Sequence, residues 1–256
     1  MISRIPRQFH WVWLGKEPLP QKDQAWMLSW RKHHPSWRCT IWAEYPDQVA
    51  LEGFETRALP PLVNQHLYDG IERWVTGKAV LAARSDIVRY EIVACYGGVY
   101  LDTDVECFRN IDELLEYVTL FVSDGWGGGE CNYMFGAFAN HPALWTTVRD
   151  LGPHLSACHH QLNPVQATGP DYLNPKLYLS QDLVIFPDQL FNPLDARDDP
   201  RWVRSWPQCS YGNHHFDGKW LEYTAWKNLP PPEFMNARSI VKHGTSNAEW
   251  NAKGVR

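Results

Sequence analysis

The stretch Ser85-Asp-Ile-Val-Arg-Tyr-Glu-Ile-Val-Ala-Cys-Tyr-Gly-Gly-Val-Tyr-Leu-Asp-Thr-Asp104 decides the fold of this chain. Val80, Ala83, Ile87, Tyr90 and Ala94 recur at three- and four-residue steps, which predicts a helix over residues 78–96 that Gly97-Gly98 stops. Residues 99–101 then read as a short apolar strand that delivers Asp102 and Asp104 at its carboxyl end. In open α/β sheets the ligand crevice lies outside the carboxyl ends of the strands. Residues i and i+2 of a strand share a face, so both carboxylates can address one ion. Their hard oxygens suit Mg²⁺ or Mn²⁺, and such a cation can neutralise a diphosphate. Alone, an Asp-x-Asp is usually a solvated turn. Behind Gly-Gly-Val-Tyr-Leu the metal–diphosphate alternative overtakes it, and sugar-nucleotide chemistry is the first expectation.

Working outward, residues 8–14 (QFHWVWL) form a short apolar run bounded by Pro6 and Gly15, as a buried parallel strand requires. Residues 21–34 predict a helix with Ala25, Leu28 and Trp30 to one side, and residues 37–42 (WRCTIW) a second strand. Strand, helix, strand at this spacing opens a Rossmann-like half. Residues 43–75, broken by Pro46, Pro60 and Pro61, read as short helices and loops. Downstream, a short helix is expected over 111–117, strands over 118–123 and 133–139, and a helix from Pro142 towards Leu155. Past residue 160 the signal weakens, with strands over 183–186 and 240–243 among loops rich in Pro, Trp and Asn. The fold class is therefore α/β: a mostly parallel sheet flanked by helices, with a loop-rich C-terminal part. We expect one domain over residues 1–256, with 1–110 as the donor half and 111–256 as the acceptor half.

At 256 residues the chain can bury one large core. A net charge of −5 gives no basic footprint, so no nucleic-acid partner is expected. The 14 Trp and 11 Tyr are either core or ring platforms for bases and sugars, and most are expected to be structural. Six scattered cysteines without a C-x-x-C pair predict free, buried thiols rather than a disulfide framework. Cys158-His159-His160 lacks the second ligand pair of a zinc finger. Without a signal-peptide pattern or an apolar run of about 18 residues, the expectation is a soluble, cytoplasmic protein. The segment Trp30-Arg-Lys-His-His-Pro-Ser-Trp-Arg38 mixes bases with aromatics. That leaves peripheral contact with the inner face of a membrane open, beside the plainer alternative of a solvated helix end.

Further candidates surround the Asp-x-Asp. Asp86 and Arg89 share a helix face three residues apart. They form either an ordinary ion pair or a pair in which Asp86 accepts from ribose or sugar hydroxyls and Arg89 neutralises phosphate or sugar oxygens. Tyr100 could add a hydroxyl or ring contact, or be core. Trp13 ends the first strand, where a ring can stack on a nucleobase; Trp11 and plain core packing compete for that position. Glu106 reads as a surface carboxylate. In the loop-like segment Tyr211 to Trp220, His214 or His215 could complete a metal site, since imidazole suits Mn²⁺, although paired histidines are more often solvated. Thr168 and Asn132 are candidates for the acceptor side.

Four blocks carry a family resemblance: Ile5-Pro-Arg-Gln-Phe-His-Trp-Val-Trp-Leu-Gly15, Ala83-Arg-Ser-Asp-Ile-Val-Arg-Tyr90, Gly97-Gly-Val-Tyr-Leu-Asp-Thr-Asp104 and His214-His215…Trp220. Together they resemble glycosyltransferase family 32, the DxD-motif sugar transferases that include capsule, lipopolysaccharide and outer-chain mannosyltransferases, and they are similar in motif to clostridial glucosylating toxins. The resemblance implies a GT-A fold and a metal-dependent, retaining transfer from a UDP- or GDP-sugar to a glycan or lipid-linked acceptor in polysaccharide biosynthesis. It implies that Trp13 stacks on the base, that Asp86 and Arg89 hold the donor sugar, and that Tyr100 and Asp102 touch ribose or sugar. Asp104 would bind Mn²⁺ or Mg²⁺ directly, His214 or His215 would complete the site, and Trp220 would touch the diphosphate. Lys219 stands where the family often has a small hydroxyl residue, and could supply phosphate charge of its own. Two alternatives remain: a protein-modifying glycosyltransferase effector and a non-catalytic carbohydrate-binding protein.

Overall fold

The computed structural model describes residues 4–125, 129–158, 160–193 and 208–217. Strand β1 (Gln8–Trp13) leads through α1 (Gln21–His33) to β2 (Arg38–Ala43), and β3 (Glu55–Ala58) follows. After α2 (Gln65–Gly70), the long α3 (Ala79–Tyr96) runs into β4 (Gly98–Leu101), then β5 (Val105–Cys107), β6 (Leu120–Gly125) and β7 (Gly129–Ala137). Then come α4 (Pro142–Ser156), α5 (Pro164–Ala167), α6 (Pro170–Leu177), β8 (Leu183–Phe186), α7 (Asp188–Phe191) and β9 (Gly212–His214).

Seven strands form one sheet in the order β3-β2-β1-β4-β7-β6-β8, and β5 pairs with β9 in a second, two-stranded sheet. From β3 to β4 all neighbours are parallel, whereas β7 runs antiparallel to both β4 and β6. The chain leaves β1 through α1 to one side and returns through α3 to the other. The sequence order thus reverses at β1/β4, the place where open sheets hold ligands. The alternation of β1 explains its apolar run: Phe9 and Trp11 enter the core beneath α1, and Val12 enters the core beneath α3 and α4. Trp11, Trp30, Trp37 and Trp42 are all buried, as expected for structural tryptophans.

Some elements differ from expectation. On α1 the buried positions are Asp23, Met27 and Trp30, while Leu28 is exposed, because the stripe follows the contact with β5 rather than the nearest apolar residues. Strand β3 is an edge strand reading Glu-Thr-Arg-Ala, with no apolar alternation to announce it. Residues 111–117 form turns, not a helix. A nucleus that short cannot sustain itself, and Trp37 Nε1 ties it down by donating to Asp112 at 2.8 Å. Within the basic-aromatic segment Trp30, His34 and Trp37 are buried and ring-packed on Phe9, which removes most of its apolar surface from solvent. Cys39 and Cys107 are buried, Cys95 and Cys209 exposed, and Cys131 and Cys158 half-buried. No disulfide joins the described cysteines. No described helix is long and apolar enough to cross a membrane. The strand expected over 240–243 and His159 lie outside the described residues.

The Gly97-Gly98 stop has a steric cause. Both have positive φ, +65° and +96°. A Cβ on Gly98 would sit 2.6 Å from the backbone oxygen of Gln8, so β4 reaches β1 only without a side chain there. Gly98→Ala should cost about 3 kcal/mol or more, combining the left-handed backbone penalty with overpacking. Urea unfolding measures it, and a loss under about 0.5 kcal/mol would contradict the packing described.

Candidate functional site

Where β1 and β4 end, a cavity of about 610 Å³ opens, within the ~300–1,000 Å³ typical of small-molecule sites. Trp13 and Leu14 from β1 and its following turn, and Leu81 and Ala82 from α3, line it. Asp86 and Arg89 from α3, Tyr100 of β4, Asp102 and Asp104 after it, Asn132 and Tyr133 from β7, and His214 from β9 share the wall with Pro164 and Val165 of α5 and Gly169 and Pro170 at the start of α6. One end is therefore aromatic and aliphatic, and the other charged.

Arg89 organises the charged end. It is 6% exposed, and its Nη1 lies 3.1 Å from Asp102 Oδ1 and donates to the Asn132 carbonyl at 2.9 Å. Nη2 donates to Ser85 Oγ at 3.0 Å, and Nε stands 3.4 Å from Asp86 Oδ1. Its guanidinium lies 4.4 Å from the centroid of the Tyr100 ring, whose hydroxyl donates to Asp102 Oδ1 at 2.7 Å. The ion pair suggested by the spacing thus exists, but it is buried and shared with the Asp-x-Asp. Tyr100, 1% exposed, lines the cavity while contacting both Asp102 and Arg89.

Asp86 accepts from Asn132 Nδ2 and from Thr168 Oγ1, both at 2.7 Å. Burial pushes its carboxyl up to about 6, with Arg89 and the two hydrogen bonds pulling the other way. Thr168 is fully buried behind the wall, where its hydroxyl fixes Asp86 and its carbonyl accepts from Tyr90, so Gly169 and Pro170 of its turn, rather than Thr168 itself, line the cavity. Asn132 does line the cavity, while its amide is also committed to Asp86 and Tyr90. Burial also raises the Asp102 carboxyl; Arg89 lowers it and the nearby Asp104 raises it further.

The two histidines separate. His214 Nε2 lies 3.4 Å from Asp104 Oδ1, and ligand atoms of Asp102, Asp104 and His214 all fall within 4.8 Å of one another. Its ring stacks on Tyr133 at 4.2 Å. His215 instead bonds Glu106 at 2.9 Å and stacks on Trp26 of α1 at 4.2 Å, so it stands outside that group, and Glu106 is its partner rather than a free surface carboxylate. The backbone of the same segment closes on Asp104: its carbonyl accepts from His215 N at 2.9 Å and its Oδ2 from Asp217 N at 2.8 Å. Lys22 of α1 pairs with Asp217 and holds the segment down. Two carboxylates and an imidazole suit Mn²⁺ or Mg²⁺, with the imidazole favouring the former. His214 Nδ1, buried and without a partner among the described residues, is the atom that a second hydrogen bond would normally orient. Lys219 and Trp220 lie outside the described residues.

Sequence reasoning missed Ser85, Leu81 and Tyr133 as parts of this site. Ser85 was quoted within the motif but carried no signal of its own, and Leu81 and Tyr133 look like core positions.

Residues 20–120 match the family model described as the glycosyltransferase sugar-binding region containing the DXD motif. The chain is 31% identical over 174 residues to inositol phosphoceramide mannosyltransferase 3 of Schizosaccharomyces pombe, covering 67% of this chain and 44% of the relative. It is 26% identical over 215 residues to inositol phosphoceramide mannosyltransferase 1 of the same yeast, covering 83% and 59%. The chain therefore spans about half the length of these relatives. The fold is similar to the PaToxG glycosyltransferase, with TM-score 0.54, 16% identity and coverage of 69% and 70%. It is also similar to the UDP-bound glycosyltransferase domain of the YGT toxin, with TM-score 0.53, 11% identity and coverage of 72% and 80%.

Asp86 yields a test of the buried pair. Between its unfolded value of 3.8 and about 6 the folded chain holds a proton that the unfolded chain has released, so stability falls as pH rises through that window. Asp86→Asn removes the effect, and across pH 4 to 6 the variant should gain on the wild type by about 2 kcal/mol in urea unfolding with EDTA present. Parallel pH curves for the two proteins would refute it.

Proposed function

From a chain that is glycosyltransferase family 32-like, with the α/β architecture of GT-A domains, we infer a transferase that moves a sugar from a nucleoside diphosphate donor to a hydroxyl acceptor. The observation that carries this is the convergence of Asp102, Asp104 and His214 in one cavity that Trp13, Asp86 and Arg89 also line. When bound there, Mn²⁺ or Mg²⁺ supplies Lewis-acid neutralisation of the departing diphosphate.

The chain's own residues do the rest. Trp13 offers a ring face to the base, while Leu14 and Leu81 shield it from water. Asp86, held by Asn132 and Thr168, accepts from sugar or ribose hydroxyls once ionised, above about pH 6. Arg89 places positive charge beside the sugar and keeps Asp102 aimed at the cation site. Rate enhancement comes from orientation and from charge fixed before the reaction begins. The transfer is retaining, a reading that rests on the family resemblance. Residues 1–110 supply most of the donor side and 111–256 the acceptor side of one domain, although Asn132 and His214 reach across.

The donor is UDP- or GDP-linked, and the acceptor a glycan or lipid-linked hydroxyl at the cytoplasmic face of a membrane. The names of the two yeast relatives favour mannose and a phosphoinositol lipid. The likeness to toxin domains bears on the fold and not on the acceptor.

Calorimetric titration with UDP, GDP and ADP, each with and without Mn²⁺, tests the donor site. One nucleotide should bind in a metal-dependent way, and Asp104→Asn should weaken that binding at least tenfold. Trp13→Ala should weaken it about fivefold to a hundredfold, the worth of one base–aromatic stack of ~1–3 kcal/mol. No binding of any nucleotide, with intact folding, would overturn the assignment.

A further inference from the structure

Asp23 is a carboxyl group that does not line the cavity and that is nonetheless fully buried. It lies in the first turn of α1, on the same stripe as Met27 and Trp30. An apolar residue there would extend the packing of that stripe, and a buried polar group without a hydrogen bond would weaken it. The carboxyl is occupied: its Oδ2 accepts from Thr103 Oγ1 at 2.7 Å. Thr103 is the middle residue of Asp102-Thr103-Asp104. Its hydroxyl is thus engaged by α1 while the carboxylates on either side of it meet near His214.

We propose that Asp23 is a positioning residue for the cation site, acting through Thr103 to fix the backbone that spaces Asp102 from Asp104. The inference rests on the donor-site reading above. Each aspartate has its own anchors: Tyr100 and Arg89 on Asp102, His214 and the Asp217 amide on Asp104. Those anchors orient the carboxylates singly. What sets their spacing is the turn between them, which the Asp102 amide ties to the Tyr133 carbonyl at 2.8 Å and the Thr103 hydroxyl ties to α1. Ligands held apart at the right separation before the ion arrives lose less freedom on binding it. Groups that orient metal ligands from behind typically change affinity ~10–100-fold when removed. Asp23 was not among the candidates read from the sequence. A polar residue opening a helix stripe is its trace there.

The test is Mn²⁺ affinity of the whole chain, measured by electron paramagnetic resonance without nucleotide, alongside urea unfolding in EDTA. Thr103→Val and Asp23→Ala should each weaken Mn²⁺ binding about tenfold or more. The double variant should bind no worse than the weaker single one, because both break the same bond. Thr103→Ser, which keeps the hydroxyl, should bind like the wild type. Unchanged Mn²⁺ affinity in the folded variants, or losses that multiply in the double, would overturn the proposal and leave Asp23 a packing element. Should Thr103→Val not fold, the comparison of Asp23→Ala with Thr103→Ser decides in the same way. A wild-type protein that binds no Mn²⁺ would instead sink the cation reading itself, and with it this inference.

Discussion

A guanidinium buried between two carboxylates is the constraint on which the rest of this structure turns. Arg89 is 6% exposed and faces Asp86 and Asp102 at once. A charge taken out of water costs several kcal/mol unless it is paired and hydrogen-bonded. Here the pairing draws together α3, the end of β4 and the Asn132 carbonyl of β7. The strand order that makes β1/β4 the turning point of the sheet and the charge arrangement that makes it a site are therefore one feature. Moving β4 by a residue would leave Arg89 without Asp102.

Asp104 plays the matching role on the other side. It receives a side chain and two backbone amides from the segment that follows β9 or belongs to it, and that segment is clamped to α1 through Trp26–His215 and Lys22–Asp217. An acidic cluster would otherwise repel itself, as the raising of the Asp102 carboxyl by Asp104 indicates. Backbone N–H donors, an imidazole and Arg89 offset that repulsion, and a divalent cation would offset it further. The acidic part of the cavity therefore gains from any ligand that brings positive charge to it.

Much of this was legible in the chain. The helix–Gly-Gly–strand–Asp-x-Asp order depends on local rules: three- and four-residue periodicity, positive φ at glycine, and a short apolar strand. It located α3, β4, Asp86, Arg89, Tyr100, Asp102 and Asp104, together with Trp13 at the end of β1. It did not show β3, whose edge position needs no apolar face, or the turns at 111–117. Thr168 looked like an acceptor-side residue because its loop was visible and its burial was not.

What the sequence by itself determined is the order of elements and the residues that must lie at strand ends, because those follow from contacts between near neighbours. Only the tertiary structure decided which histidine joins the aspartates. His214 and His215 are chemically identical in sequence, but His214 ends β9, paired with Val105 of β5 beside Asp104, whereas His215 lies past the strand and turns to Glu106 and Trp26. The same holds for Asp23, eighty residues from Thr103 in the chain and 2.7 Å from it in space. Such partnerships are set by how α1 lies across β5, and no local pattern in either segment encodes that angle.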